Sequence, residues 1–100
     1  MRVSFDYDDT LTTRRGKEAL VRRLQAGDLV YIITRRSERA KTAVIAFAKG
    51  YRIPLNRVKF TGGKMKWEEV KRLRIEVHYD NNGRELELIR EKTDAWGILI

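Results

Sequence analysis

Three carboxylates stand within four residues at Asp6, Asp8 and Asp9, directly after the apolar stretch Val3-Ser4-Phe5, and Thr10 follows them. Like charges packed this closely repel one another and lower stability unless a cation neutralises them. A further acid, Asp80, ends the stretch Ile75-Glu76-Val77-His78-Tyr79, with Asn81 and Asn82 behind it. Thr34, Arg35 and Arg36 end the run Leu29-Val30-Tyr31-Ile32-Ile33, and Thr61, Gly62, Gly63, Lys64 and Lys66 follow Val58-Lys59-Phe60. Several hard carboxylate oxygens suit Mg²⁺, which binds through one or two carboxylates plus a substrate's phosphate. Hydroxyl and amine donors beside glycines that permit close approach suit phosphate oxygens. The chemistry these residue types share is metal-assisted handling of a phosphoryl group.

To act together, these residues must be brought to one place, and the elements between them indicate how. Each polar group follows a short apolar run of the kind that forms a strand buried in a parallel sheet. Between the runs lie amphipathic stretches. Leu20 and Leu24 are four apart in 17–25, which Gly27 closes; Ser37 is placed to cap a helix carrying Ala40, Val44, Phe47 and Ala48, ended by Gly50 and Pro54. Trp67, Val70 and Leu73 mark a third helix, residues 84–90 a fourth, and Ala95 to Ile100 a final strand. The alternation predicts an α/β fold: a single three-layer Rossmann-like domain over residues 1–100, with a five-stranded, mostly parallel sheet. Ligands of such sheets bind beyond the carboxyl ends of the strands, where the strand order reverses. That is where the polar residues above would gather.

With these motifs in order, the chain resembles the haloacid dehalogenase (HAD) superfamily. Phe5-Asp6-Tyr7-Asp8-Asp9-Thr10-Leu11 is similar to the family's first motif, Thr34 to the second, Lys66 to the third and Val77-His78-Tyr79-Asp80-Asn81 to the fourth. The resemblance spans the whole chain and implies a Mg²⁺-dependent phosphatase. It implies that Asp6 is the nucleophile that becomes an aspartyl-phosphate. It implies that Asp8 is the general acid and then the base, and that Thr34 and Lys66 bind the phosphoryl oxygens. Asp6, the backbone carbonyl of Asp8, and Asp80 would hold Mg²⁺. Many members carry a second acid after the last motif's Asp; here Asn81 takes that place and lowers the charge by one, with Glu85 placed to supply a carboxylate further out. The intervals between Thr10 and Thr34 and between Lys66 and Asp80 are too short for an inserted cap, so the resemblance is to capless members. Lys64 competes for the role of the phosphate-neutralising amine, and spacing favours Lys66.

Composition limits the alternatives. The chain has 100 residues, with 22 Lys or Arg against 14 Asp or Glu, a net charge of +8. There is no Cys, which excludes disulfides and thiolate metal sites. No apolar run approaches the roughly 20 residues of a membrane span, and Asp6 interrupts any signal-peptide core, so a soluble cytoplasmic protein is expected. Residues 11–50 hold ten Lys or Arg and three acids. Among them Arg14-Arg15 and Arg35-Arg36 fall in loops expected to frame the acids. Thr10, Arg35, Arg36 and Gly62 are therefore candidate substrate contacts, and Arg35 and Arg36 are suited to a flanking phosphate. An uncapped site is open to large substrates, a phosphorylated nucleic-acid end or a phosphoprotein; the alternative substrate is a small phosphate ester, with a neighbouring subunit acting as the lid. The alternative is a non-catalytic nucleic-acid-binding or regulatory module on the same scaffold. His78 and both tryptophans, Trp67 and Trp96, are expected to be packing residues, in the core or at its edge.

Overall fold

β-branched and aromatic runs flanked by amphipathic stretches have one stable outcome, a sheet covered by helices on both faces. The computed structural model describes residues 1–100. Its strands are β1 (Arg2–Phe5), β2 (Leu29–Thr34), β3 (Val58–Phe60), β4 (Val77–Asp80) and β5 (Trp96–Leu99). Its helices are α1 (Arg14–Gln25), α2 (Thr42–Gly50), α3 (Trp67–Arg72) and α4 (Gly83–Lys92). The sheet order is β3-β2-β1-β4-β5, and every neighbouring pair is parallel, so the sheet is wholly rather than mostly parallel. No helix is long and apolar enough to cross a membrane.

The chain steps outward from β1 to β2 and β3, then returns to β4 on the other side of β1. Right-handed crossovers therefore place α1 and α2 on one face, and α3 and α4 on the other. Strand alternation feeds both faces. Val3, Phe5, Val30 and Ile32 pack with Leu20, Val44 and Ala48 on one side. Ile33 packs with Val70, Ile75, Ile89 and Ala95 on the other. The reversal at β1 opens between the carboxyl ends of β1 and β4, where Asp6 and Asp80 emerge.

Three expectations are corrected. Ser37 does not cap the second helix: Glu38–Ala40 form a separate 3₁₀ turn, and α2 begins at Thr42. The cause is Arg36, whose Nη1 takes the Ala40 carbonyl at 3.0 Å and withdraws it from a helical ladder. The first helix starts at Arg14 rather than residue 17, because Thr13 Oγ1 accepts the Gly16 N–H at 3.1 Å and caps it. Trp96 is not a core or core-edge residue but is 77% exposed. It lies on the edge strand β5, where Gly97 faces Leu86 of α4 and the alternate residues Trp96 and Ile98 project away from that helix. Trp67 is half-buried, with Lys92 Nζ 5.0 Å from its ring centre.

Candidate active site

Asp6 continues β1 by one step, its N–H donating to the Tyr79 carbonyl at 2.9 Å, and its side chain is buried. The chain then bends through the turn Tyr7–Leu11, in which Asp8 is extended (ψ 129°) and Asp9 is left-handed (φ 58°). This bend separates the acids: Asp6 points into the protein, while Asp8 and Asp9 are exposed. A short polar side chain tolerates the left-handed conformation at Asp9, and the Asp9 N–H donates to Thr12 Oγ1 at 2.9 Å. The first turn of α1 lies against this bend so closely that a Cβ on Gly16 would stand 1.8 Å from the Thr10 carbonyl oxygen. Only glycine fits there.

Lys66 occupies the centre, directly before α3 and 2% exposed. Its Nζ donates to Asp6 Oδ1 and to Asp80 Oδ2, each at 2.7 Å. Its backbone N–H donates to Glu85 Oε1 at 3.0 Å. Glu85 Oε2 has no hydrogen-bond partner and lies 4.0 Å from the ammonium. Asp80 Oδ2 also accepts from His78 Nε2 at 2.8 Å, and Oδ1 from the Asn82 N–H at 3.1 Å. A carboxylate only accepts, so His78 carries its proton on Nε2, and its Nδ1 takes the Ser4 hydroxyl at 2.6 Å. Asp6 Oδ2 accepts from Thr10 Oγ1 at 3.0 Å. With its amide nitrogen turned inward, Asn81 donates to Asp6 Oδ2 at 2.9 Å and to the Asp8 carbonyl at 3.3 Å.

Three buried carboxyls, Asp6, Asp80 and Glu85, thus face one ammonium. Burial pushes the Asp6 pKa up, and the Asp80 charge adds to this against the pull of Lys66. Burial acts the same way on Asp80, but His78 and Lys66 prevail and hold it below the ordinary carboxylate value. Lys66 sits above the ordinary lysine value, because Asp80 and Asp6 outweigh its desolvation. At the rim, hydrogen bonds from Arg36 keep Asp8 low. The crowding of Asp6 and Asp8 is relieved by two of the protein's own cations, one for each.

The expected residues divide into two groups. Asp6, Thr10, Lys66, Asp80 and Asn81 form one hydrogen-bonded cluster, with the Asp8 carbonyl on its border. Lys64 is exposed and takes no part in it. Thr10 is fully buried, with its hydroxyl on Asp6. Thr34 is also buried and accepts the Arg36 N–H at 3.2 Å. Arg35 and Gly62 belong to an adjoining loop pair: Gly62 N–H donates to the Arg36 carbonyl at 3.2 Å, and Arg35 Nη2 to the Gly63 carbonyl at 2.6 Å. Glu85 lies under Lys66 rather than beyond Asn81. A groove of about 820 Å³ lies at the amino ends of the strands beside Met1, Arg74, Glu76 and Trp96 and includes none of these residues.

Two participants have no direct motif in the sequence, Ser4 and the cap of α4. Ser4 and His78 are paired in register across β1 and β4. Two polar residues at matching positions of apolar strands were the available signal, legible only once the strand pairing is known. Asn82 caps α4 through the N–H groups of Arg84 and Glu85, at 2.9 and 3.4 Å, and so sets the helix that carries Glu85.

No three His, Cys, Asp or Glu side chains form a metal-ligand group by themselves. The oxygens that converge on the cluster are those of the carboxylates and of the Asp8 backbone carbonyl, with the Asn81 amide nitrogen turned toward them. No family model matches the chain, and no curated protein or solved structure matches it.

Proposed function

We propose that this chain is a Mg²⁺-dependent phosphomonoester hydrolase of the haloacid dehalogenase type, acting through Asp6. The observation that carries the reading is the Asp6–Lys66–Asp80 bridge at the carboxyl edge of the sheet, with both contacts at 2.7 Å. It joins three residues from the ends of three different elements. They lie where an open parallel sheet binds ligands and match the order of the family's motifs.

In this reading an Asp6 carboxylate oxygen attacks phosphorus while the bond from phosphorus to the ester oxygen breaks. Asp8, once it has left Arg36 and taken up a proton from solvent, gives that proton to the departing oxygen, so the products are an alcohol and aspartyl-phosphate. Asp8 then takes a proton from water, the water oxygen bonds to phosphorus, and the Asp6–phosphorus bond breaks to release inorganic phosphate. Lys66 neutralises charge on Asp6 and on the phosphoryl oxygens, and the cost of desolvating its ammonium has been met in advance by folding. Thr34, at the end of β2, supplies a hydroxyl to those oxygens. Ser4 and His78 hold Asp80 from behind.

The donor set fits a hard divalent cation. Asp6, Asp80 and the Asp8 carbonyl would hold Mg²⁺, which asks for one or two carboxylates and keeps several waters. The excess of three buried carboxyls over one ammonium calls for further positive charge. When bound, the ion would draw charge from the phosphoryl oxygens. Exposed cations near the site (Arg15, Arg35, Arg39, Lys41 and Lys64) favour an anionic substrate, including a nucleic-acid end.

The test is hydrolysis of 4-nitrophenyl phosphate with Mg²⁺ by the wild type and Asp6→Asn. The reading expects turnover that Asp6→Asn abolishes. Equal rates would remove the mechanism. Salt-sensitive oligonucleotide binding by a protein with no turnover would favour the non-catalytic module.

A further inference from the structure

Asp8 must reach the leaving oxygen in the mechanism above, yet it is engaged elsewhere. Its two carboxylate oxygens take Arg36 Nε at 2.9 Å and Nη2 at 2.8 Å. The two partners are not equally held. Arg36 is anchored on other sides: Nη1 donates to the Ala40 carbonyl at 3.0 Å, Cζ lies 5.2 Å from the Tyr7 ring centre, and its N–H donates to Thr34 Oγ1 at 3.2 Å. The Asp8 carboxylate has no other hydrogen bond, and its side chain is 50% exposed against 30% for Arg36. An ion pair this exposed is weak and readily exchanged. The free edge of a fixed guanidinium matches phosphate as well as it matches carboxylate. Asp8 is therefore the mobile member of the pair, and Arg36 the fixed fork.

We propose that the Nε/Nη2 edge of Arg36 is an anion subsite, contested between Asp8 and a second anionic group of the substrate. Binding of that group releases Asp8 to turn toward the leaving oxygen. The inference rests on the phosphatase reading and narrows its substrate class to phosphomonoesters with a second phosphate or phosphodiester close by. The exchange conserves charge, since one anion replaces another on the guanidinium. A substrate without the second anion leaves Asp8 clasped, so its deficit falls on kcat as well as KM. A subsite that only added affinity would change KM alone.

The experiment compares thymidine 5′-monophosphate, thymidine 3′,5′-bisphosphate and 5′-phosphorylated dithymidylate with wild type, Arg36→Ala and Arg36→Lys. Inorganic phosphate release is followed, and circular dichroism confirms the fold. In the wild type, the two substrates with a second anion should exceed the monophosphate by about tenfold or more in kcat/KM, on the scale of one charge-assisted bidentate contact, with part of the gain in kcat. Arg36→Ala should lose that gain, so that the ratio of each substrate with a second anion to the monophosphate falls to about one. Arg36→Lys keeps the charge but not the fork and should fall between. Preference for the bisphosphate alone assigns the subsite to a terminal phosphate, whereas equal preference includes the phosphodiester of a nucleic-acid end. Asp6-dependent turnover with no preference, or an equal loss on all three substrates in Arg36→Ala, overturns the proposal and leaves the phosphatase reading standing. Absence of Asp6-dependent turnover on every substrate overturns both.

Discussion

Lys66 binds two carboxylates through its ammonium and a third through its N–H, and all four residues are buried. Breaking a buried pair by removing one partner costs about 3–5 kcal/mol, because the remaining charge is left uncompensated. Lys66→Met should therefore lower stability by about that much in urea unfolding; a loss below about 1 kcal/mol would contradict the geometry. The pH dependence follows from the same groups. Asp80 lies below its ordinary 3.8, so its contribution is complete above that value and is lost as pH falls through its lower folded value. Lys66 lies above its ordinary 10.5, so its contribution is complete below 10.5 and is lost as pH rises through its higher folded value. Asp6 runs the other way: raised above 3.8, it favours the fold in acid and offsets part of the Asp80 loss. The urea midpoint of the wild type should thus fall above pH 10.5, and Lys66→Met should lack that fall. An identical alkaline fall in both proteins would assign it to other groups. At this scale the carboxylates were legible in the sequence, because their spacing is local. Their neutralisation was not local: Lys66, 60 residues from Asp6, was indicated only through the family resemblance, and the pairing of Arg36 with Asp8, 28 residues apart, had no signal at all.

Elements were legible wherever one force dominated. Apolar runs became strands, and the polar residues after them mark the carboxyl edge. Helix starts were less so, because single side chains decide them. Thr13 caps α1 so that it starts three residues ahead of the expected position, and Arg36 donates to the carbonyl that a longer α2 would have used. Gly16 is the tightest of these junctions. Replacing a helix-interior glycine with alanine ordinarily gains up to about 1 kcal/mol, but overpacking costs about 1–3 kcal/mol. With 1.8 Å between the new Cβ and the Thr10 oxygen, the clash prevails. Gly16→Ala should lower the melting temperature and also the activity, since the turn it displaces carries Asp6 and Asp8. A stabilised variant would show that the turn yields freely. Asn82→Ala removes the cap of α4 and should cost about 1 kcal/mol in thermal unfolding; no change would mean that its two N–H groups find water equally well.

Across the whole molecule, the sheet order places α1 and α2 on one face and α3 and α4 on the other. The outer strand β5 has α4 on one side only. Composition correctly conveyed a small basic domain, but it could not distinguish an apolar residue in the core from one on an open edge. Trp96 is the example, and Trp96→Ser should change stability by no more than about 0.5 kcal/mol in denaturant unfolding. A core-sized loss of about 3 kcal/mol or more would place it in the interior instead. The net charge of +8 is likewise divided by the fold. Lys66 is buried among acids and Arg36 is clasped to Asp8, while Arg35, Arg39, Lys41 and Lys64 stay exposed in the loops at the carboxyl edge of the sheet.

The most direct measurement is acid quench of the wild type during turnover of a phosphomonoester with Mg²⁺, followed by peptide mass spectrometry. The account predicts a hydroxylamine-sensitive phosphoryl group on Asp6, absent from Asp6→Asn. Turnover that persists in Asp6→Asn, or a phosphoryl group found on another residue, would contradict it.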